Sequence, residues 1–412
     1  MIDFDSLPQP SERRIAVHVQ PAAERALRSG HPWLFDQAIR KQSHDGQPGD
    51  LAVIFDQKRR FLAVGLYDPD SPIRVRILQH WQQAAINADW FAERLRAAAA
   101  IRQPLIDQQT TGYRLVHGEN DGLPGLIIDR YADTLVLKLY TAAWLPHLRD
   151  VIAGLQAIQP FDALILRLSR NMEAATLPLG LQDGQTLIGE APEESVIFQE
   201  NGLRFAADAA HGHKTGFFFD QRDNRAFVRK ITSGRRVLDV FAYSGGFSVY
   251  AASGGATDVT SLDSSAPALA AAAANFALNQ ADTLVAAARH LTLAEDAFDG
   301  LERLYADGQR YDLVIVDPPA FAKNAAEVER ALAAYTRLTG LALNVLAERG
   351  ILVMASCSSR VTPDAFFSTV LRATSAAGRP CIEIKRSGHA LDHPIGFPEG
   401  EYLKCLFAAV TD

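Results

Sequence analysis

The chain has 412 residues, 48% of them hydrophobic and 22% charged, with 41 Lys and Arg against 48 Asp and Glu for a net charge of −7. It is too long for one hydrophobic core and ordinary in composition for a globular protein of two or three domains. The balance argues against a uniformly basic nucleic-acid binder, and nothing resembles a membrane span.

The most apolar run, Ala266 to Leu278, opens with Pro267 and is mostly alanine, so it predicts a short helix. Met1 to Glu12 is acidic, carries two prolines and shows no signal peptide. Three widely spaced cysteines (Cys357, Cys381 and Cys405) oppose a disulfide framework and point to a reducing cytoplasm.

In chain order, Arg14 to Val19, Leu51 to Phe55, Phe61 to Gly65 and Ile73 to Leu78 are short strands separated by Gly, Pro and Asp turns. They predict a small β-barrel-like module over residues 1–82. His31-Pro-Trp-Leu-Phe35 within it reads first as core filling and second as a base-stacking platform. Ala84 to Ile101 has the 3.6 spacing of a helix. Next, the polar turn Glu119 to Gly122 joins two strands, and Leu135 to Tyr140 continues the sheet. Residues 83–204 are expected to form a central α+β domain.

From residue 205 the rhythm becomes βαβ: Arg236 to Phe241, Val259 to Asp263, a weak strand near Leu284, Tyr311 to Asp317 and Gly350 to Ala355, with helices between. Cys381 to Lys385 and Tyr402 to Val410 close the sheet. This predicts an α/β, doubly wound, Rossmann-like domain over residues 205–412. Residues 201–236 carry eight cations (Arg204, Lys214, Arg222, Arg225, Arg229, Lys230, Arg235, Arg236) and three anions (Asp208, Asp220, Asp223), a local charge of +5. Such a face suffices for phosphate contact even on an acidic protein.

The first strand of that domain runs into Phe241-Ala-Tyr-Ser-Gly-Gly246, whose glycines allow a tight turn. The spacing Gly-x-Gly-x-x-Gly is absent, and Phe241 and Tyr243 stand where a phosphate loop keeps small residues. That suits a ligand with a flat base and no pyrophosphate. Asp263 ends the second strand, where nucleotide-binding α/β folds hold a ribose diol, and Asp296 with Ala297 follows the third. These features point to an adenosyl cofactor, with Asp239, Phe241, Tyr243, Gly245, Asp263, Asp296 and Ala297 as the candidate cofactor-binding residues.

The fourth strand stops at Asp317-Pro-Pro319, where two prolines remove donors and lock φ. The fifth ends in Ser356-Cys-Ser358, so Cys357 faces the same crevice as Asp317 and is the candidate nucleophile. A thiolate can activate C5 of a pyrimidine by adding to C6, with Asp317 orienting or protonating the base; the base has to be single-stranded or flipped. No metal is expected, because His211 and His213 lack a third ligand at a usual spacing.

The chain resembles the ribosomal large subunit methyltransferase I family. The resemblance rests on Gly65-Leu-Tyr-Asp-Pro-Asp-Ser-Pro-Ile-Arg-Val-Arg76, Arg114-Leu-Val-His-Gly-Glu-Asn-Asp-Gly-Leu-Pro-Gly125, His213-Lys-Thr-Gly-Phe-Phe-Phe-Asp-Gln-Arg-Asp-Asn-Arg225, Asp317-Pro-Pro-Ala-Phe321 and His393-Pro-Ile-Gly-Phe-Pro-Glu-Gly-Glu-Tyr-Leu-Lys404. It implies an N-terminal PUA-like RNA-binding domain and a class I S-adenosylmethionine-dependent catalytic domain. It also implies 5-methylcytosine formation in 23S rRNA, with no membrane partner and a homodimer admitted. By it, Gln221, Asp263, Asp296 and Asp317 line the cofactor site, Cys357 attacks, and the +5 window serves RNA contact. Two positions depart from the family pattern: Ala320 stands where Lys is common, and Phe198-Gln-Glu-Asn-Gly202 where Glu-Glu-His-Gly is common.

Rival readings are an NAD(P)-dependent oxidoreductase, a non-catalytic RNA-binding factor, and methylation of an exocyclic amino group with Phe321 as aromatic clamp. The first lacks its glycine cradle. The second leaves Asp317 and Cys357 without a purpose, and the third leaves Cys357 without one.

Overall fold

A computed structural model describes residues 7–192, 194–212 and 214–411. His213, and the first six residues of the segment read for a leader, lie outside them. The chain forms two compact units. One comprises residues through Phe198 together with Ala207–Phe217 and Leu391–Gly400, and the other comprises Gln199–Ala206, Phe218–Ala390 and the chain from Glu401. Two later segments, Ala207–Phe217 and Leu391–Gly400, thus return to the first unit.

The first unit opens with a six-stranded sheet in the order Trp33–Phe35, Ile73–His80, Phe61–Tyr67, Leu51–Phe55, Ile15–Val19, Ile39–Gln42. Only the Ile15–Val19 and Leu51–Phe55 pairing is parallel. One face buries Ile15, Val17, Leu34, Ile54 and Val75. Within His31-Pro-Trp-Leu-Phe35 it is Leu34 that fills the core. Strand alternation leaves Trp33 half-buried and Phe35 exposed, and the Trp33 indole donates to Glu119 Oε1 at 3.0 Å.

The helix expected from Ala84 spans Ala88–Asp107 instead. Asn87 supplies the cap, its side chain accepting from the Trp90 amide, and the helix runs on through Pro104 because Arg102 and Leu105 are buried. A five-stranded sheet follows, ordered Thr186–Ile188, Ala163–Leu168, Thr134–Leu139, Leu126–Tyr131, Gly112–His117. The returning segments dock onto it through polar contacts. Asp392 accepts from the Arg114 amide at 2.8 Å, Thr215 donates to the Asp129 carboxylate, and the Phe217 amide donates to the Tyr131 hydroxyl at 3.0 Å.

The second unit is built on a seven-stranded sheet: β1 (Arg236–Val240), β2 (Asp258–Asp263), β3 (Arg289–Ala294), β4 (Tyr311–Val316), β5 (Leu346–Ser356), β6 (Cys381–Ser387) and β7 (Lys404–Val410). Their spatial order is β3-β2-β1-β4-β5-β7-β6, with β7 antiparallel to both neighbours. The strand expected near Leu284 is a short helix, Thr283–Ala287. Asp282 caps it by accepting from the Leu284 amide, and the strand proper is β3. As an edge strand β3 exposes Arg289, Leu291 and Thr292, which hides its alternation in the sequence.

The strand order reverses between the parallel neighbours β1 and β4, which defines a switch point with a crevice outside the carboxyl ends of the strands. Leu238, Val240, Val314, Val316, Leu352 and Met354 fill its central strands. The chain enters this unit along a hairpin, Val196–Glu200 and Leu203–Ala207, turned at Asn201 and Gly202 with φ of 50° and 81°. An Asn-Gly pair of this kind is what a two-residue hairpin turn favours. Among the described residues no helix is long and apolar enough to cross a membrane.

Candidate functional site

Parallel register brings the candidate residues to one edge. Val240 lies opposite Leu262 on one side and Val316 on the other, and Val316 lies opposite Met354. Phe241, Asp263, Asp317 and Cys357 therefore all emerge at the carboxyl ends of adjacent strands. Asp296 follows β3 on the same edge.

The loop after β1 is held in an unusual backbone. Phe241 and Tyr243 have φ of 64° and 48°, and Gly245 has φ of 75°. Non-glycine residues in this region are uncommon and concentrate at ligand sites. Hydrogen bonds over-determine the loop: the Phe241 and Ala242 amides donate to the Leu262 carbonyl, the Tyr243 amide to Asp263 Oδ2 at 2.9 Å, and the Ser265 amide to Asp263 Oδ1 at 2.9 Å. Gly245 is required on a second ground, since a Cβ there lies 2.7 Å from the Ala272 Cβ. The glycine pair was legible in the sequence, but the strain at the two aromatic residues was not.

Asp239 is buried in the strand itself. Ser248 Oγ donates to its Oδ2 at 2.7 Å, Ser248 and Ser261 share a hydrogen bond at 2.7 Å, and Ser261 meets His290 Nε2 at 2.9 Å. Burial holds His290 down at about 4, so the ring is neutral at pH 7. The other oxygen, Asp239 Oδ1, is buried without a hydrogen-bond partner. Burial raises the Asp239 carboxyl to about 7, against the pull of Ser248.

Asp317 follows β4, its amide donating to the Val240 carbonyl at 3.3 Å. Desolvation first, then the neighbouring Asp220 and Asp239, push it up to about 7 although its side chain retains some exposure. Gln221 faces this group from the turn Phe219–Gln221. Its Oε1 accepts from Asn224 at 2.6 Å, while its Nε2 is buried without a well-formed hydrogen bond. The amide is near enough to Asp317 to oppose part of the rise. Asp296 is exposed and caps the helix Ala297–Ala306, accepting from Phe298 N at 2.9 Å, while Ala297 is buried.

Cys357 reaches across to the preceding strand end, its thiol donating to the Pro318 carbonyl with 3.8 Å between sulfur and oxygen. The turn carrying it is braced by residues that sequence reasoning missed. The Tyr335 hydroxyl lies 2.7 Å from Ser356 Oγ and 3.2 Å from Ser358 Oγ, and Ser358 Oγ accepts from the Phe321 amide at 3.0 Å. Tyr335 sits on the helix Val328–Val345 with no motif around it, so only packing reveals its part. Cys381 is half-buried and Cys405 is buried, the latter away from any reactive role because burial raises its thiol out of the ordinary range.

The basic window does not survive as a single surface. Arg222 and Arg225 are buried and pair with the equally buried Glu200, Arg225 at 2.9 and 2.8 Å and Arg222 at 3.3 Å. A buried carboxylate holds these two cations inward, and of the eight only Arg204, Lys214, Lys230 and Arg236 are fully exposed. His211 is exposed, with its amide bonded to Asp208 Oδ1.

A family model for S-adenosylmethionine-dependent methyltransferases matches residues 182–400, and one for PUA-like domains matches residues 17–80. The chain is 48% identical over 407 residues to a ribosomal RNA large subunit methyltransferase of Deinococcus radiodurans, covering 98% of this chain and 99% of that one. It is 39% identical over 395 residues to the ribosomal RNA large subunit methyltransferase I of Tolumonas auensis, covering 95% and 98%. Among solved structures, a protein from Streptococcus mutans provisionally assigned as an S-adenosylmethionine-dependent methyltransferase superposes with a TM-score of 0.80 at 22% identity, covering 96% of this chain and all of that one. Another, provisionally assigned as a methyltransferase and solved in complex with S-adenosylhomocysteine, gives 0.81 at 23% identity over the same shares.

Proposed function

Because the chain belongs to the S-adenosylmethionine-dependent methyltransferases of the ribosomal RNA large subunit family, we propose that it methylates C5 of a cytosine in 23S rRNA through a covalent adduct on Cys357. The observation that carries this reading is the 3.8 Å contact between the Cys357 thiol and the Pro318 carbonyl, beside Asp317. It supports the reading by bringing a thiol and a carboxyl raised to about 7 to neighbouring strand ends.

The residues at the switch point fit the cofactor. The unpartnered Asp239 Oδ1 suits the ammonium of the amino-acid portion, and the Gln221 side-chain amide, which faces Asp317, its carboxylate. Asp263, tied to two amides through one lone pair on each oxygen, keeps lone pairs for a ribose diol. Phe241, Tyr243 and Gly245 shape the loop against the adenosyl group, and Asp296 with Ala297 borders the adenine. When bound, the cofactor supplies an electrophilic methyl group on a sulfonium.

The chain's own residues prepare the acceptor. Cys357 as thiolate adds to C6, and Asp317, neutral below about 7, donates to the polar edge of the ring. The C5–C6 double bond opens and C5 becomes enamine-like. After C5 is methylated a base removes the C5 proton, the double bond re-forms and the thiolate leaves. The target base has to be unpaired or flipped to reach this pocket. The PUA-like sheet with half-exposed Trp33 and exposed Phe35 supports RNA contact in the first unit. A cytoplasmic setting follows from that substrate.

The test is incubation with 23S rRNA fragments carrying 5-fluorocytosine, where the C5 proton is replaced and the adduct cannot resolve. A covalent complex that disappears in Cys357→Ala, while that variant still binds S-adenosylhomocysteine, supports the mechanism. Full methylation by Cys357→Ala would favour exocyclic amino methylation instead.

A further inference from the structure

Lys404 is a buried cation with a defined set of partners. It opens β7, an otherwise apolar strand, and stands directly opposite Ser356 in the antiparallel register with β5. Its ammonium donates to the carbonyls of Ser358 at 2.7 Å, Val361 at 2.9 Å and Tyr402 at 2.9 Å. Those three bonds use all three of its protons, and two of the acceptors belong to the turn that carries Cys357. All three hydrogen-bond acceptors are backbone carbonyls, so the charge is met by backbone dipoles and by the more distant Glu401 and Cys357 rather than by a carboxylate in direct contact.

We propose that Lys404 is a positioning residue that clamps the Cys357 turn through the Ser358 and Val361 carbonyls and stabilises the Cys357 thiolate with its buried charge. This deepens the reading of Cys357 as nucleophile and rests on it. Three observations converge. The carbonyls of Ser358 and Val361 are drawn onto Nζ, which fixes the backbone one residue beyond the thiol. The ammonium interacts electrostatically with Cys357, and Glu401 is the other acidic group felt by Lys404. Burial lowers the ammonium to about 8, so it stays largely charged at neutral pH. A cation close to a cysteine lowers the barrier to thiolate formation, as in other activated cysteines. Tyr335 feels the charge of both Cys357 and Asp317, and Asp317, neutral below about 7, withholds a competing negative charge. Lys404 is not placed to remove the C5 proton, since each of its N–H groups is already directed at a carbonyl.

The test is the pH dependence of Cys357 alkylation by iodoacetamide in the full chain carrying Cys381→Ser, read by mass spectrometry of the Cys357 peptide. With Lys404 in place the midpoint is expected below the roughly 8.5 of an ordinary cysteine. In Lys404→Met it is expected to rise by about one pH unit or more, with S-adenosylhomocysteine binding retained. An unchanged midpoint in a folded Lys404→Met overturns the proposal. So does a midpoint at or above the ordinary value in the chain that keeps Lys404, a measurement that needs no variant at this position. A purely structural lysine would lower the melting temperature without moving the midpoint. Alkylation is read without RNA, so failure of the C6-adduct mechanism in the fluorocytosine experiment leaves this result standing, and the two can fail separately.

Discussion

The thiol of Cys357 and the carbonyl of Pro318 meet across the ends of β5 and β4, sulfur to oxygen 3.8 Å. Neither residue could hold that relationship alone. Ser358 accepts from the Phe321 and Ala322 amides, so the proline turn and the cysteine turn are stitched together, and Tyr335 bridges the two serines that flank Cys357.

Tyr335→Phe removes the hydroxyl that spans those serines. The buried hydroxyls left behind cost about 1–3 kcal/mol. Misplacement of the thiol by a fraction of an ångström is expected to lower kcat by roughly 10- to 100-fold, with affinity for S-adenosylhomocysteine unchanged. Single-turnover kinetics with calorimetric binding measures both. An equal loss in binding and turnover would place Tyr335 in the cofactor site instead.

Asp239 makes stability depend on pH. Its carboxyl is raised in the folded state from 3.8 to about 7, so the folded chain holds a proton that the unfolded chain releases. Stability therefore falls as pH rises from about 4 to about 7 and is flat above, a change of up to roughly 4 kcal/mol from this group. Asp239→Asn cannot titrate, and its melting temperature is expected to change less between pH 5 and pH 8. Parallel curves for the two proteins would rule out the raised carboxyl.

Asp317 governs one limb of the rate profile. As a proton donor it is competent below about 7 and lost above, so the single-turnover rate is expected to decline as pH rises through that value. Asp317→Asn is expected to lower the rate by about 10²- to 10⁴-fold and to abolish the declining limb. Persistence of the limb in the variant assigns it to another group.

Glu200 is a buried anion shared by Arg222 and Arg225. Glu200→Gln leaves two buried guanidinium groups short of compensation and is expected to destabilise by about 3–5 kcal/mol in denaturant titration. A change below about 1 kcal/mol would mean that the arginines find water or other acceptors.

Apart from the third strand, the sequence by itself determined the alternation of strands and helices in the second unit, the proline stop after β4 and the identity of the residues at the strand ends. Those follow from local facts: apolar runs, the fixed φ of proline, and glycine where a turn tightens. It also showed Cys357 flanked by serines and Lys404 at the end of a long motif. It did not show that Lys404 stands opposite Ser356, because antiparallel pairing of β5 with β7 joins residues 48 apart in the chain. It misread Arg222 and Arg225 as surface charge, since the carboxylate that buries them lies outside their own helix. It placed a strand at Leu284 where Asp282 caps a helix. Local propensity is written in neighbouring residues. Which charges are buried, and what faces a thiol, is decided by the packing of segments that meet only in the folded chain.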